Sequence, residues 1–469
     1  SGEEGSGQEG SGQVGSGQEE PCQEGSGQEG SGQEGDMTMA LRPNRTSPDP
    51  DAQIEDVTAV SEEEEAGSIT LVNRVEKGLA RMPLARLTTV GPRTARWAIQ
   101  AVLTEAGHIP GAPKIRMTAA LAGQVAMDEA VVALMQGPSR FPRRADYHRV
   151  SAELEEAAAL FEQRGWLDDP RSYHDDPRPL ADVVSTWGWA LGQRYRRISW
   201  DSDFHARPEE PGAERWEAFQ QNHTASAWVL EHDDGPRPWV VCVHGFGTGA
   251  AVADMITFRA QHLHHDLGWN VAAIVLPVHG SRRPSRLGGE QFLGFDMMNG
   301  VHALAQSAWD MRRLLSWVRA QDPTSVVLHG VSLGGYVASL TTCLDGDLDA
   351  AIAGIPVSDF PGLFSHQAPQ HVRERSVEHG ILEGNAERVY RAVSPLAMPT
   401  LVPFEKRFIF AGLGDRMAVP SQTQALWHHW EEPTISWFPG NHVGYLWSKK
   451  VAGFVDGILE DVTPSPVDD

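Results

Sequence analysis

Gly330-Val331-Ser332-Leu333-Gly334 stands between the apolar run Ser325 to Leu328 and a small-residue stretch from Gly335 to Cys343. An apolar strand that meets this pentapeptide and continues as a helix has few ways to fold. The glycines occupy places where larger side chains would collide, and the turn lifts the serine hydroxyl clear of the sheet. The spacing therefore predicts a strand, a sharp turn and a helix, with a serine nucleophile at the apex.

The surrounding sequence fits a sheet of that kind. After Pro179, strand candidates recur at Tyr195 to Trp200, Ser226 to Leu230, Trp239 to Val243, Val271 to Leu276, Ser325 to Leu328, Ala350 to Ile355, Arg407 to Ala411 and Thr434 to Phe438. Helical stretches at Met297 to Arg319, Tyr336 to Cys343, Gln422 to Trp430 and Val443 to Leu459 separate the later ones. Strands alternating with helices predict an α/β fold with a mostly parallel, eight-stranded sheet, and the adjacent early runs supply antiparallel edge strands. Residues 181–462 make this domain, and the insertion at 360–398 is where a lid would sit.

The first 35 residues are seven copies of a five-residue unit, mostly Ser-Gly-Gln-Glu-Gly. With almost nothing apolar to bury, residues 1–67 are expected to be a disordered acidic tail and linker. Met37 and Met39 leave open a translation start inside the chain. Residues 1 to 66 hold 17 acidic and two basic side chains, so most of the net charge of −24 lies there. The remainder carries no basic excess, which argues against nucleic acid as a partner. Residues 68–180 show helical spacing at Ala95 to Ala106, Met117 to Met135 and Val150 to Phe161, and predict a helical N-terminal region. Its basic run Arg74, Lys77, Arg81 and Arg86 would suit peripheral contact with an anionic membrane, or equally a solvated face. Cys22, Cys242 and Cys343 have neither metal-site nor disulfide-framework spacing, and no signal segment or run of 18 apolar residues occurs. A cytoplasmic location is the expectation.

A serine hydroxyl needs a general base, and the base needs an acid to hold its tautomer. Asp415 ends the apolar run and glycine loop Phe408 to Gly414, and His442 follows Trp437-Phe438-Pro439-Gly440-Asn441. Both lie just past a strand, where open α/β sheets gather their ligands. A tetrahedral intermediate also needs preorganised N–H donors. Strand Trp239 to Val243 runs into His244-Gly245-Phe246-Gly247, so the backbone amides of Phe246 and Leu333 are the candidates, with His244 bracing the loop.

Taken in order, the His-Gly-Phe-Gly loop, the elbow at Ser332, Gly414-Asp415 and His442 resemble the α/β-hydrolase superfamily, specifically its serine esterase and lipase-like members. The likeness spans about residues 190 to 460. It implies an eight-stranded sheet, an acyl-enzyme and cleavage of a small-molecule or lipid-like ester, without a cofactor. The single-residue oxyanion motif looks like that of enzymes taking medium or long acyl groups. Asp359 occupies a second place where this superfamily carries its acid. A serine at the elbow disfavours a dehalogenase or epoxide hydrolase, but does not separate ester from thioester, lactone or amide. Peptidase or amidase activity, acyl transfer and a noncatalytic scaffold are the rival readings.

Arg282 and Arg283 follow the strand Val271 to Leu276, and could hold an anionic group of the substrate or pair with Asp296 or Glu290. His262, His264, His265, His428 and His429 read as surface histidines rather than a metal site, since no acidic or cysteine ligand completes a set. His329 is expected to be a buried strand residue with a hydrogen-bond partner. Trp437 and Trp447 are expected in the core.

Overall fold

Four short runs, Trp239–Val243, Asn270–Val275, Val326–Val331 and Ala350–Gly354, are buried along their whole length. Strands of this kind need cover on both faces, because no residue in them can be left to water. A computed structural model, which describes residues 87–103, 111–135, 142–284 and 288–463, supplies that cover. The helices in chain order are α1 Val90–Leu103, α2 Ala119–Met135, α3 Arg144–Gln163, α4 Ala213–Glu217, α5 Ala251–Thr257 and α6 Met297–Arg319. They continue as α7 Leu333–Thr342, α8 Phe360–Gln367, α9 Gln370–Glu378, α10 Ala386–Tyr390, α11 Pro420–His429 and α12 Lys449–Val462. The tail and linker 1–67 and the basic run Arg74, Lys77, Arg81 and Arg86 lie outside the described residues.

The strands are β1 Val184–Ala190, β2 Gln193–Asp201, β3 Thr224–Leu230, β4 Trp239–Val243, β5 Asn270–Val275, β6 Val326–Val331, β7 Ala350–Gly354, β8 Arg407–Gly412 and β9 Thr434–Phe438. They form one sheet in the order β1, β2, β3, β5, β4, β6, β7, β8, β9. The pairings from β1 through β3 to β5 are antiparallel, and those from β5 through β4 and β6 to β9 are parallel. The mostly parallel sheet agrees with the sequence reading, but it has nine strands among the described residues rather than eight. The added strand is β1. Val184, Trp187 and Trp189 are exposed on it and Gly188 interrupts it, so it lacks the half-buried alternation that marks a strand. Its turn, Leu191-Gly192, has positive φ at both residues, as a two-residue hairpin demands. Leucine is a rare choice there and hides the signal.

Alternate residues of each central strand serve different layers. Trp239, Val241 and Val243 join an apolar cluster with α3, α6 and α7 on one face, while Val240 and Cys242 join α5 and α12 on the other. α3 is part of the main core through Tyr147, Val150, Leu154 and Phe161. α1 and α2 meet in a smaller cluster around Trp97, Leu121 and Val125. Leu121 and Val125 also press against Gly414, so α2 covers the chain just beyond β8.

His329 departs from expectation. It is buried on β6 with its ring centroid 5.2 Å from that of Phe258 and 5.9 Å from that of Phe410. Neither ring nitrogen has a hydrogen-bond partner among the described residues. Its side chain points into an apolar layer that offers no acceptor, and burial pushes its pKa down to about 3. The ring therefore stays neutral.

Candidate active site

β6 ends at Val331 and α7 starts at Leu333, so the chain must reverse at Ser332. Ser332 takes φ 57° and ψ −117°, which costs a non-glycine residue on the order of 1–3 kcal/mol. Its surroundings hold it there. The Ser332 N–H donates to the Gly354 carbonyl at 2.9 Å, and its own carbonyl accepts from Tyr336 N–H at 3.1 Å and Val357 N–H at 3.3 Å. A Cβ on Gly330 would overlap the Gly334 carbonyl, and one on Gly334 would overlap the Val243 carbonyl. Both glycines of the motif are steric requirements of the turn.

The loops after β8 and β9 bring the other two groups to the serine. His442 Nε2 lies 2.9 Å from Ser332 Oγ, and His442 Nδ1 lies 2.7 Å from Asp415 Oδ2. The second oxygen of Asp415 accepts the N–H groups of Met417 at 2.9 Å and Ala418 at 2.8 Å. With Nδ1–H donated to the carboxylate, Nε2 presents its lone pair to the serine hydroxyl. Burial works against a charged imidazole. The charge and hydrogen bond of Asp415, with the charge of Asp128, outweigh it and hold His442 above its ordinary pKa. Asp359, the other acid considered, instead caps α8 by accepting Gly362 N–H at 3.1 Å.

Phe246 and Leu333 both line the cleft around Ser332. Leu333 is the first residue of α7, where a helix leaves its amides unpaired. The N–H of Phe246 has no hydrogen-bond partner among the described residues. His244 braces this loop: its Nδ1 bonds the Gly245 carbonyl at 2.8 Å and its Nε2 accepts Leu276 N–H at 3.1 Å. Both ring nitrogens are thereby used, which leaves none for proton transfer.

The cleft above Ser332 has a volume of about 490 Å³. Val357, Phe360, Leu363 and Phe364 wall it from the segment after β7, and Val132 and Met135 wall it from α2. At its mouth Arg149 pairs with Asp296 and, at 3.0 Å, with Glu153. The arginines singled out from sequence are elsewhere. Arg282 is only 1% exposed and is bound inward to Asp310 at 2.8 Å and to the carbonyls of Val275 and Asn222. The buried carboxylate on α6 needs a counter-charge, and Arg282 supplies it. Arg283 is exposed and lines no part of the cleft.

Two further expectations are corrected. His264 is buried, with Nδ1 3.0 Å from the Trp269 carbonyl and its ring stacked on His232, so it is not a surface histidine. Trp437 is in the core, but Trp447 is 57% exposed, on a short turn after the histidine loop. Among the described residues no three His, Cys, Asp or Glu side chains are grouped to hold a metal ion. None of the described helices is long and apolar enough to cross a membrane.

Sequence reasoning missed Asp128. This α2 carboxylate accepts His442 N–H at 2.9 Å and Arg416 N–H at 3.0 Å through one oxygen, and Asn441 Nδ2–H at 2.8 Å through the other. Gln124, one turn earlier, accepts Asn441 N–H at 3.2 Å. Glu129 bonds the Arg416 guanidinium at 2.8 Å. The signal was present as two adjacent acids, Asp128-Glu129, in the otherwise apolar run from Val125 to Met135.

The strand order, the elbow between β6 and α7 and the positions of Asp415 and His442 past β8 and β9 define an α/β-hydrolase fold. The chain belongs to the same family as two proteins of Mycobacterium tuberculosis, Uncharacterized protein Rv2627c (strain ATCC 25618 / H37Rv) and Uncharacterized protein MT2702 (strain CDC 1551 / Oshkosh). Each is 40% identical over 351 residues, which cover 74% of this chain and 84% of the relative. No family model matches the chain. Among solved structures it is similar to an acetyl xylan esterase from Paenibacillus sp. R4, at 15% identity and a TM-score of 0.44 over 63% of this chain and 92% of that one. It is also similar to Acetyl Xylan Esterase 1 from Thermoanaerobacterium sp. JW/SL YS485, at 11% identity and a TM-score of 0.45 over 64% and 93%.

Proposed function

We propose that the protein is a serine hydrolase that cleaves carboxylic esters through an acyl-enzyme. The observation that carries this reading is the continuous relay of Ser332 Oγ, His442 and Asp415, at 2.9 and 2.7 Å, on a strained elbow at the floor of the cleft. His442 Nε2 takes the serine proton as Oγ attacks the ester carbonyl, and Asp415 stabilises the imidazolium. The amides of Phe246 and Leu333 receive the negative oxygen. The imidazolium then gives its proton to the departing alkoxide as the C–O bond breaks. Water, deprotonated by the same histidine, attacks the acyl-serine and releases the acid. No step calls for a cofactor.

The apolar walls of the cleft favour a medium or long acyl group, or another lipid-like ester, and α8 and α9 cover the acyl end. Cys242 and Cys343, free and buried, suit a cytoplasmic setting.

The test is labelling by a fluorophosphonate probe together with hydrolysis of p-nitrophenyl esters from acetate to palmitate. Labelling and turnover that vanish in Ser332→Ala and in His442→Ala are expected. Persistent labelling of Ser332→Ala would refute the assignment. Cleavage of aminoacyl naphthylamides as fast as the esters would make the protein an amidase.

A further inference from the structure

Asp415 and His442 sit on separate loops, and their 2.7 Å contact depends on what fixes one loop against the other. Asp128 is bonded to both. One of its oxygens holds the amide next to the acid, that of Arg416, together with the amide of His442 itself. The other oxygen holds the side chain of Asn441. Asn441 is gripped again by Gln124, through its N–H at 3.2 Å and its Nδ2–H at 3.0 Å. The carboxylate is 1% exposed, so these bonds are shielded from competing water. Three donors converge on two oxygens of one carboxylate, which no neutral side chain of that size can match.

Resting on the proposed triad, we propose that Asp128 is a positioning residue: it clamps the acid and histidine loops together and adds a second negative charge behind His442. The charged groups around it are few. Asp415 and His442 face it from the two loops, and the guanidinium of Arg416 turns away to Glu129 at 2.8 Å. Glu129 is balanced in turn by Arg93 of α1 at 2.6 Å. The net charge felt by the imidazole from this side is therefore that of Asp128. Desolvation and the charge of Asp415 push the Asp128 pKa up to about 6, so it is ionised where His442 must act as a base.

Asparagine is not a neutral replacement. If its oxygen keeps the two backbone amides, its NH₂ faces the NH₂ of Asn441. Either that contact is lost or the Asn441 amide flips and gives up its Nδ2–H bond to the Gln124 carbonyl.

The experiment follows the rate of Ser332 labelling by a fluorophosphonate probe against pH in the full-length protein, with thermal melts alongside. This readout needs no natural substrate, and its acid limb reports His442. In Asp128→Asn the plateau should fall, by up to about a hundredfold for a displaced base, and the acid limb should move to lower pH as a stabilising charge leaves the imidazole. Asp128→Glu keeps the charge but is longer, so it should hold the limb at its wild-type position with a reduced plateau. In Asp128→Asn a merely structural role would lower the melting temperature and leave the limb in place, which overturns the proposal, as does either variant matching wild type in both plateau and limb. Should Asp128→Asn not fold, Asp128→Glu decides alone: a plateau at the wild-type level, or a limb displaced from its wild-type position, overturns the proposal. Absence of labelling in the wild-type protein, or labelling that survives in Ser332→Ala, would instead remove the triad reading on which this one stands.

Discussion

Ser332 stores strain that its own side chain causes. At φ 57° and ψ −117° a Cβ costs on the order of 1–3 kcal/mol, whereas glycine's extra chain entropy costs about 0.5–1 kcal/mol against alanine. Relief of strain outweighs the entropy loss. Ser332→Gly should therefore melt at a higher temperature than Ser332→Ala, and the reverse order would show that the elbow is not strained. Two residues away the sign changes. Gly334→Ala drives a methyl into the Val243 carbonyl, and overpacking against backbone should cost about 3 kcal/mol or more. A melt within a degree or so of wild type would contradict this. Asp128 gives a pH signature at the same scale. Its folded pKa is raised from 3.8 to about 6, so the native state binds the proton more readily than the unfolded chain does. The stability it contributes is full below 3.8 and lost as pH rises through about 6. Wild type should gain melting temperature relative to Asp128→Asn as pH falls through that window. A gap independent of pH would mean that the carboxylate is not desolvated as described.

Among the elements, the central strands and the helices between them were readable because burial on both faces leaves an unbroken apolar run, and long helices such as α6 repeat their apolar face many times. β1 was not, since an edge strand with exposed tryptophans has no buried face to write into the sequence. The site divides the same way. Ser332, Asp415 and His442 each follow a strand, so local order finds them. Asp128 acts across 314 residues of chain, from His442 N–H to its carboxylate, and Arg282 was misread because a surface loop and a buried ion pair with Asp310 use the same residue types. The segment after β7 is the element with the most direct handle on specificity. α8 contributes Phe360, Leu363 and Phe364 to the cleft wall, and Leu363→Trp would narrow the cleft there while leaving Ser332, Asp415 and His442 themselves unaltered. Its optimum in the p-nitrophenyl series should move to shorter acyl chains, with the rise in KM largest for palmitate. A uniform loss across the series would place the acyl group elsewhere.

At the scale of the whole molecule, the helices ahead of the sheet are not equivalent. α3 buries Tyr147, Val150, Leu154 and Phe161 in the same cluster as α6 and the sheet. At roughly 1.5–3 kcal/mol for each large side chain, removing them forfeits an amount comparable to a domain's whole net stability of about 5–15 kcal/mol. α1 and α2 pack mainly around Trp97, Leu121 and Val125 in a cluster of their own, and Ala112 and Ile115 between them pack on Ala411, Leu413 and Trp437, so losing this stretch exposes that patch without removing a residue of the main core. A chain beginning at Pro142 should therefore fold, with a cooperative melt and helix and strand signals in far-ultraviolet circular dichroism, whereas one beginning at Ala181 should not. The longer of the two lacks Gln124 and Asp128, so its acid and histidine loops lose the clamp that α2 provides. It should react with a fluorophosphonate far more slowly than the full chain while keeping its fold. Cooperative unfolding of the chain from Ala181 would show that α3 is dispensable to the core, and labelling of the chain from Pro142 at the full-length rate would show that the sheet alone holds His442 against Asp415.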